Sequence, residues 1–205
     1  MVANSASTIA SDAQITILQT VFNKQKRAFT TGPIATAKER IRNLDKLRKG
    51  LVKYNSALIQ AMSDDFGNRP KDASTLNDIM ICIESIKYQS KHLKKWMKPT
   101  KPHVNIKLQP VMARVYYQPK GIVGIMSPWN FPVSLAISPL ITALAAGNRA
   151  IIKPSEYTPI TAQVLLTMIQ ESFQSDHVAV ILGDMAVGIE FSKTPFDHLI
   201  FTGST

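Results

Sequence analysis

Cysteine is almost missing from this 205-residue chain, and the single Cys82 excludes an internal disulfide and a cysteine-based metal site. Its context, Ile79-Met-Ile-Cys-Ile83, is an apolar helical stripe with no histidine close in sequence. Cys82 therefore reads as a buried small hydrophobe in preference to a nucleophile. Long apolar runs are lacking too. The best candidate, residues 133–146, is broken by Ser134, Ser138, Pro139 and Thr142, which suits a buried helix better than a membrane span. Residues 1–10 have neither a basic start nor an apolar run, so no secretory signal is read. These absences predict a soluble, cytoplasmic protein with no membrane partner. Acidic residues are scarce in the first 120 positions, where 8 Asp+Glu face 21 Lys+Arg; the remainder holds 6 against 3. The net charge of +10 raises a nucleic-acid hypothesis. The cations fall mostly on outer faces of predicted helices, without the interleaved aromatics of a stacking platform, so no nucleic-acid partner is expected.

What is present is ordinary globular material: 45% hydrophobic residues, enough for one large domain or two small ones. From Asp12 to about Lys98 the chain reads as helices. Ile41, Leu44, Leu47, Leu51, Leu58 and Met62 recur at three- and four-residue steps, with lysines and arginines between them. Thr30 or Thr31 can cap the start and Gly67 can end the run in a left-handed turn. A further helix is predicted from about Asp72 to Met97, with lysines in its last turns and Pro99 after it. Residues 103–119 change to short alternation and read as a β-hairpin or two linked strands, which need a partner such as another segment or subunit.

Beyond Gly121 the pattern is strand–helix alternation. Strands are predicted at 121–126, 149–153, 178–182 and 198–202, with helices at 131–146, 159–173 and 186–192 between them. The fold class is α/β: a helical N-terminal segment, residues 1–102, followed by a Rossmann-like parallel sheet over 120–205 with both faces covered. Ligands of such sheets bind beyond the carboxyl ends of the strands. That places the loops at 127–132, 154–159, 183–188 and 203–205 on one edge, all rich in Gly, Pro, Ser or amide residues. The fingerprint G-x-G-x-x-G is absent, since Gly121 and Gly124 lie inside the first strand. Either no dinucleotide binds, or it binds in a different manner. Asp65-Phe66-Gly67 invites a kinase reading, but the rest of the kinase set is missing.

Three runs carry a resemblance: Ser127-Pro-Trp-Asn-Phe-Pro132, Lys153-Pro-Ser-Glu156 followed by Thr158-Pro159, and Phe201-Thr-Gly-Ser-Thr205. Their order and spacing resemble the aldehyde dehydrogenases, closely over about residues 105–205 and more loosely over the helical front. Asp65-Phe-Gly-Asn-Arg69 and the form Lys-Pro-Ser-Glu look most like the coniferyl aldehyde dehydrogenase branch. The resemblance implies the cofactor-binding part of an enzyme that oxidises an aldehyde to a carboxylic acid with NAD, or NADP, as a homodimer with 103–119 at the subunit contact. It assigns Asn130 to the oxyanion hole, where one donor contributes about 3 kcal/mol; the competing reading is a cap for the helix that follows. Lys153 and Glu156 become adenosine-ribose ligands, with Glu156 favouring NAD over a 2′-phosphate; the competing reading is a surface ion pair. Ser155 belongs to the same loop. Ser127, Pro128 and Trp129 would line the nicotinamide side, although a lone Trp129 fits a core as readily. Gly183 would admit the adenine, and Gly203 and Ser204 would meet the pyrophosphate at a helix start; Gly188 reads as an ordinary strand-end turn. The family's cysteine nucleophile and glutamate base fall beyond the last Gly-Ser-Thr, so this chain alone is expected to be inactive. The alternative is a non-catalytic nucleotide-binding or assembly module.

Overall fold

The computed structural model describes residues 2–203, with side chains from residue 11. Five α-helices lead: α1 (Val2–Thr31), α2 (Ala37–Lys53), α3 (Asn55–Asp65), α4 (Lys71–Ser74) and α5 (Ile81–Trp96). A π-helical stretch, Thr75–Met80, joins α4 to α5, making one rod of the predicted helix. The periodic stripe from Ile41 to Met62 forms two helices, α2 and α3, with the break at Tyr54. Leu44, Leu47, Leu51, Leu58 and Met62 are all fully buried.

The expected cap at Thr30 or Thr31 is displaced. Both residues lie in the last turn of α1, where their hydroxyls donate back to the carbonyls of Lys26 and Arg27. Thr36 caps α2 instead: its hydroxyl accepts from Glu39 N–H while the Glu39 carboxylate accepts from Thr36 N–H. Gly67 does turn left-handed, at φ +61°, and Asn68 follows it at φ +78°.

Residues 103–119 do not form the expected strand pair. They contain one short 3-10 turn, Ile106–Leu108, and a single antiparallel bridge from Val115 to Thr100. Ile106, Leu108, Val111, Met112, Tyr116 and Tyr117 all face solvent. A lone ribbon with no sheet beneath it has too few buried contacts to hold its ladder.

The C-terminal part alternates as expected: β1 (Ile122–Met126), α6 (Ser134–Ala146), β2 (Arg149–Lys153), α7 (Pro159–Ser172), β3 (Val178–Val180), α8 (Met185–Lys193) and β4 (His198–Phe201). The sheet is wholly parallel in the order β3-β2-β1-β4, so the chain passes both β2 and β1 between β3 and β4. Strand residues split by period two between two cores. Val123, Ile125, Ala150, Ile152, Val178 and Val180 pack with α2, α3, α5, α6 and α7. Ile122, Ile151 and Ala179 face α1 and α8, meeting Leu18, Phe22, Val187 and Phe191. Each core therefore joins helices of the front to one face of the sheet. Buried Gln25 clamps α1 to the sheet by donating to the carbonyls of Ala150 and Ser175. β4 departs from the doubly covered expectation: Leu199 and Phe201 are exposed, and only Ile200 between them packs against the larger core. No helix among the described residues is long and apolar enough to cross a membrane.

Candidate active site and cofactor edge

The crossover of the chain past β1 creates a crevice at the carboxyl ends of β1 and β4, where the strand order reverses. Three of the four anticipated loops meet along this edge, and the fourth begins there. After β1, Ser127 N–H donates to the Lys153 carbonyl, extending the β1–β2 ladder by one rung. Its hydroxyl is buried without a hydrogen-bond partner among the described residues. Pro128 is half-buried. Trp129 is 52% exposed, so it is no core residue, and its ring lies 6.3 Å from that of Phe66.

Asn130 is exposed, and its side chain makes no hydrogen bond to another described residue. It does not cap α6, which starts at Ser134. That reading is corrected: the cap is the carboxylate of Asp78, whose Oδ1 accepts from Val133 N–H and Ser134 N–H at 3.2 and 2.9 Å. Asp78 Oδ2 accepts from Arg69 Nη2 at 2.8 Å, and Arg69 Nη1 donates to the Asn130 carbonyl at 3.1 Å. Burial pushes the Asp78 carboxyl above its ordinary range, against the pull of Ser134 N–H, Arg69 and Val133 N–H. With donors on both oxygens, Asp78 serves as the carboxylate.

After β2, the Lys153 ammonium, on a buried side chain, contacts Glu156 Oε2 at 2.6 Å. Burial raises the Glu156 carboxyl, but the hydrogen bond and charge of Lys153 more than offset this, leaving it below its ordinary range. The surface-pair reading of these two residues fails for the lysine end, which is 4% exposed. Ser155 is buried and its hydroxyl accepts from Tyr157 N–H, tightening the turn. Beyond this turn Asp65, from the end of α3, caps α7 by accepting from Ile160 N–H and Thr161 N–H.

After β3, Gly183 has φ +155°, and a Cβ there would lie 2.4 Å from Val187 Cγ2, so only glycine fits the turn. Asp184 caps α8 and also accepts from Ser11 Oγ at 2.8 Å. The Ser11 bond and the N–H groups of Val187 and Ala186 hold its carboxyl below the ordinary range. Between the second and third loops lies a cavity of about 200 Å³ lined by Pro154, Ser155, Glu156, Pro159, Leu182 and Gly183. Gly188 is no strand-end turn. It sits inside α8, where an added Cβ would come within 3.8 Å of the Lys153 ammonium. Gly203 ends the description of the fourth loop, and Ser204 lies outside the described residues.

Sequence reasoning placed Ser127–Asn130, Lys153–Glu156 and Gly183 on one edge, and the structure puts them there. It met Asp65 and Arg69 only as part of a family run and Gly188 only as a turn, and it missed Asp78, which left a signal: an acid four residues before Cys82 on an otherwise buried stripe. Cys82 is buried, with its thiol pushed up to about 12 by burial against a weak contact with Ser138. It cannot serve as a thiolate nucleophile. Among the described residues no group of three His, Cys, Asp or Glu side chains converges to hold a metal.

An open parallel sheet with its loops gathered at a strand-order reversal defines a Rossmann-like α/β unit of the NAD-binding type. The aldehyde dehydrogenase family profile matches residues 6–205, and the chain belongs to that family. A probable coniferyl aldehyde dehydrogenase of Pseudomonas aeruginosa is 45% identical over 205 residues, all of this chain and 43% of that protein. A coniferyl aldehyde dehydrogenase of Pseudomonas sp. is 42% identical over 92% of this chain and 39% of its own length. The chain thus corresponds to the N-terminal part of these relatives and spans less than half their length. Among solved structures, the substrate-bound state of Staphylococcus aureus AldH superposes with a TM-score of 0.88 at 35% identity, over 91% of this chain and 41% of that one. An NAD+ complex of a Bacillus cereus aldehyde dehydrogenase matches at a TM-score of 0.78 and 25% identity, over 90% of this chain and 38% of that one.

Proposed function

We propose that this chain is the cofactor-binding part of an NAD(P)-dependent aldehyde dehydrogenase that oxidises an aldehyde to a carboxylic acid. The observation that carries the reading is the Lys153–Glu156 pair at the end of β2, set beside the 200 Å³ cavity under Gly183. A buried ammonium and a half-exposed carboxylate present one donor and one acceptor to a pair of ribose hydroxyls. The apolar cavity next to them suits the flat adenine, with Ser155 holding the turn between the two. Ser127, Pro128 and the exposed Trp129 wall the nicotinamide side. Gly203, after β4, begins the loop assigned to the pyrophosphate.

The cofactor supplies hydride acceptance when bound, and the chain's own residues bind and orient it. Asn130 directs a neutral amide toward the reacting carbonyl oxygen. Its side chain is suited to this, because no partner among the described residues competes for the N–H. The nucleophile and the general base come from elsewhere in the enzyme, since Cys82 is buried and its thiol protonated. We therefore expect no aldehyde oxidation by purified residues 1–205; NADH formation from an aldehyde by this chain would overturn that.

The carboxylate of Glu156 repels a 2′-phosphate, so NAD is the preferred cofactor. In the complete enzyme, Glu156→Gln should narrow the NAD-over-NADP preference by about tenfold, roughly one charge-assisted hydrogen bond. Titration calorimetry with both dinucleotides reads this. An unchanged ratio would remove Glu156 from the ribose site.

The exposed apolar residues of 106–117 support a homodimer contact through this segment. Sedimentation of the wild type beside Ile106→Ser/Met112→Ser tests it, with dissociation of the variant as the expected result.

A further inference from the structure

We propose that Arg69, seated on Asp78, is the positioning residue for Asn130, an inference that rests on the oxyanion reading of Asn130 given above. Gly67 and Asn68, both left-handed, turn the chain off α3 and carry Arg69 beneath the 127–132 loop. The Arg69 side chain there is only 11% exposed, and its guanidinium lies 5.0 Å from the Phe66 ring and 5.3 Å from the Phe131 ring. Its two terminal nitrogens make different bonds, one to the Asn130 carbonyl and one to Asp78 Oδ2. The other oxygen of Asp78 takes Val133 N–H and Ser134 N–H. One guanidinium–carboxylate bracket therefore grips the chain at residue 130 and again at 133–134, on either side of Phe131 and Pro132.

The Asn130 side chain has no partner of its own among the described residues, so its direction follows from its main chain. Arg69 is the side chain that bonds that main chain. Asp78 alone would be enough to cap α6; the guanidinium adds the link to residue 130. A buried ion pair is a poor source of net stability, and its better-attested use is to specify one geometry. Arginine suits the task because its planar fork presents two donors at a fixed angle, which a lysine cannot do.

The test has two arms. In the purified chain, Arg69→Met should raise amide hydrogen exchange over residues 128–133 by about tenfold or more, with β1 and β2 unchanged. Exchange unchanged in the loop would show that the bracket does not hold it and would overturn the proposal. Should Arg69→Met fail to fold, because Asp78 is left buried and unpaired, Arg69→Met/Asp78→Asn removes that charge while the Asn carbonyl still accepts from α6. In the complete enzyme, Arg69→Met should lower kcat by about 10- to 100-fold, the scale of a small misplacement of a catalytic group, with KM for NAD changed less than about twofold. Arg69→Lys should recover part of the loss. In an Asn130→Ala background the same change should add less than about twofold, because the lost donor can no longer be misplaced. Losses that multiply would assign Arg69 a structural role and sink the idea. If Asn130→Ala itself leaves kcat intact, the oxyanion reading fails, and the exchange arm still decides whether Arg69 holds the loop.

Discussion

Lys153 shows how one residue can be misjudged from its neighbours in sequence. Beside Glu156 it suggests a surface pair, but its stem runs under α8 and its ammonium faces the missing side chain of Gly188. Alanine at 188 places its Cβ at ordinary contact distance. Gly188→Leu, in contrast, should push the ammonium off Glu156 and weaken dinucleotide binding in the complete enzyme by about tenfold or more. Calorimetry on the two variants side by side reads the difference, and equal affinities would remove Gly188 from the site. Cys82 is the complementary case, where the local reading was sufficient. A thiol so buried should stay unreactive toward a soluble disulfide reagent until the chain unfolds, and reaction of the native protein within minutes would contradict its burial.

At the scale of elements, the helices that start at the carboxyl edge of the sheet are capped by a division of labour. Asp184 caps its own helix, α8, whereas α6 and α7 receive carboxylates from the helical front, Asp78 and Asp65. Asp65 therefore ties the end of α3 to the start of α7, and α3 already packs on α7 along its length. Asp65→Ala should cost about 1 kcal/mol, the usual loss of an N-cap, and lower the Tm by about 2–4 °C. Asp65→Asn, which keeps an acceptor oxygen, should recover most of it. A thermal scan of the three proteins checks the order. The same helices explain why the front of the chain is no detachable lead-in. It supplies the groups that finish two helix starts, along with much of the core over one face of the sheet.

For the molecule as a whole, the charged groups at the opposite end of the sheet set a pH dependence unrelated to the active site. His177, at the entry to β3, is held neutral, its pKa lowered to about 4 by burial and by the nearby Arg149 charge, with Asp176 opposing. In the unfolded chain it titrates near the ordinary 6.5. The unfolded state therefore binds more protons between these two values. The stability His177 contributes is complete above about pH 6.5 and is lost as the pH falls toward 4. His177→Gln should flatten the urea midpoint across that window relative to wild type, and identical slopes would remove His177 as the cause.

The sequence by itself determined the α/β class, all four strands to within two residues at each end, the buried leucine stripe of α2 and α3, and the sheet edge on which the loops after the strands gather. These are local or periodic properties: a 3.6-residue stripe, alternation of strand and helix, a left-handed glycine at a helix end. The loops after β1 and β2 were also legible, because their proline, serine and amide residues stand at strand ends, where the topology must place a site. Tertiary structure decided what depends on distant chain meeting. It moved the α6 cap from Asn130 to Asp78, 55 residues away in sequence, and put Arg69 under the same loop. It placed Gly188 against Lys153 and denied residues 103–119 the strand pairing that their alternation suggested. Alternation fixes which side chains share a face, but a strand pair persists only where another surface buries one of those faces.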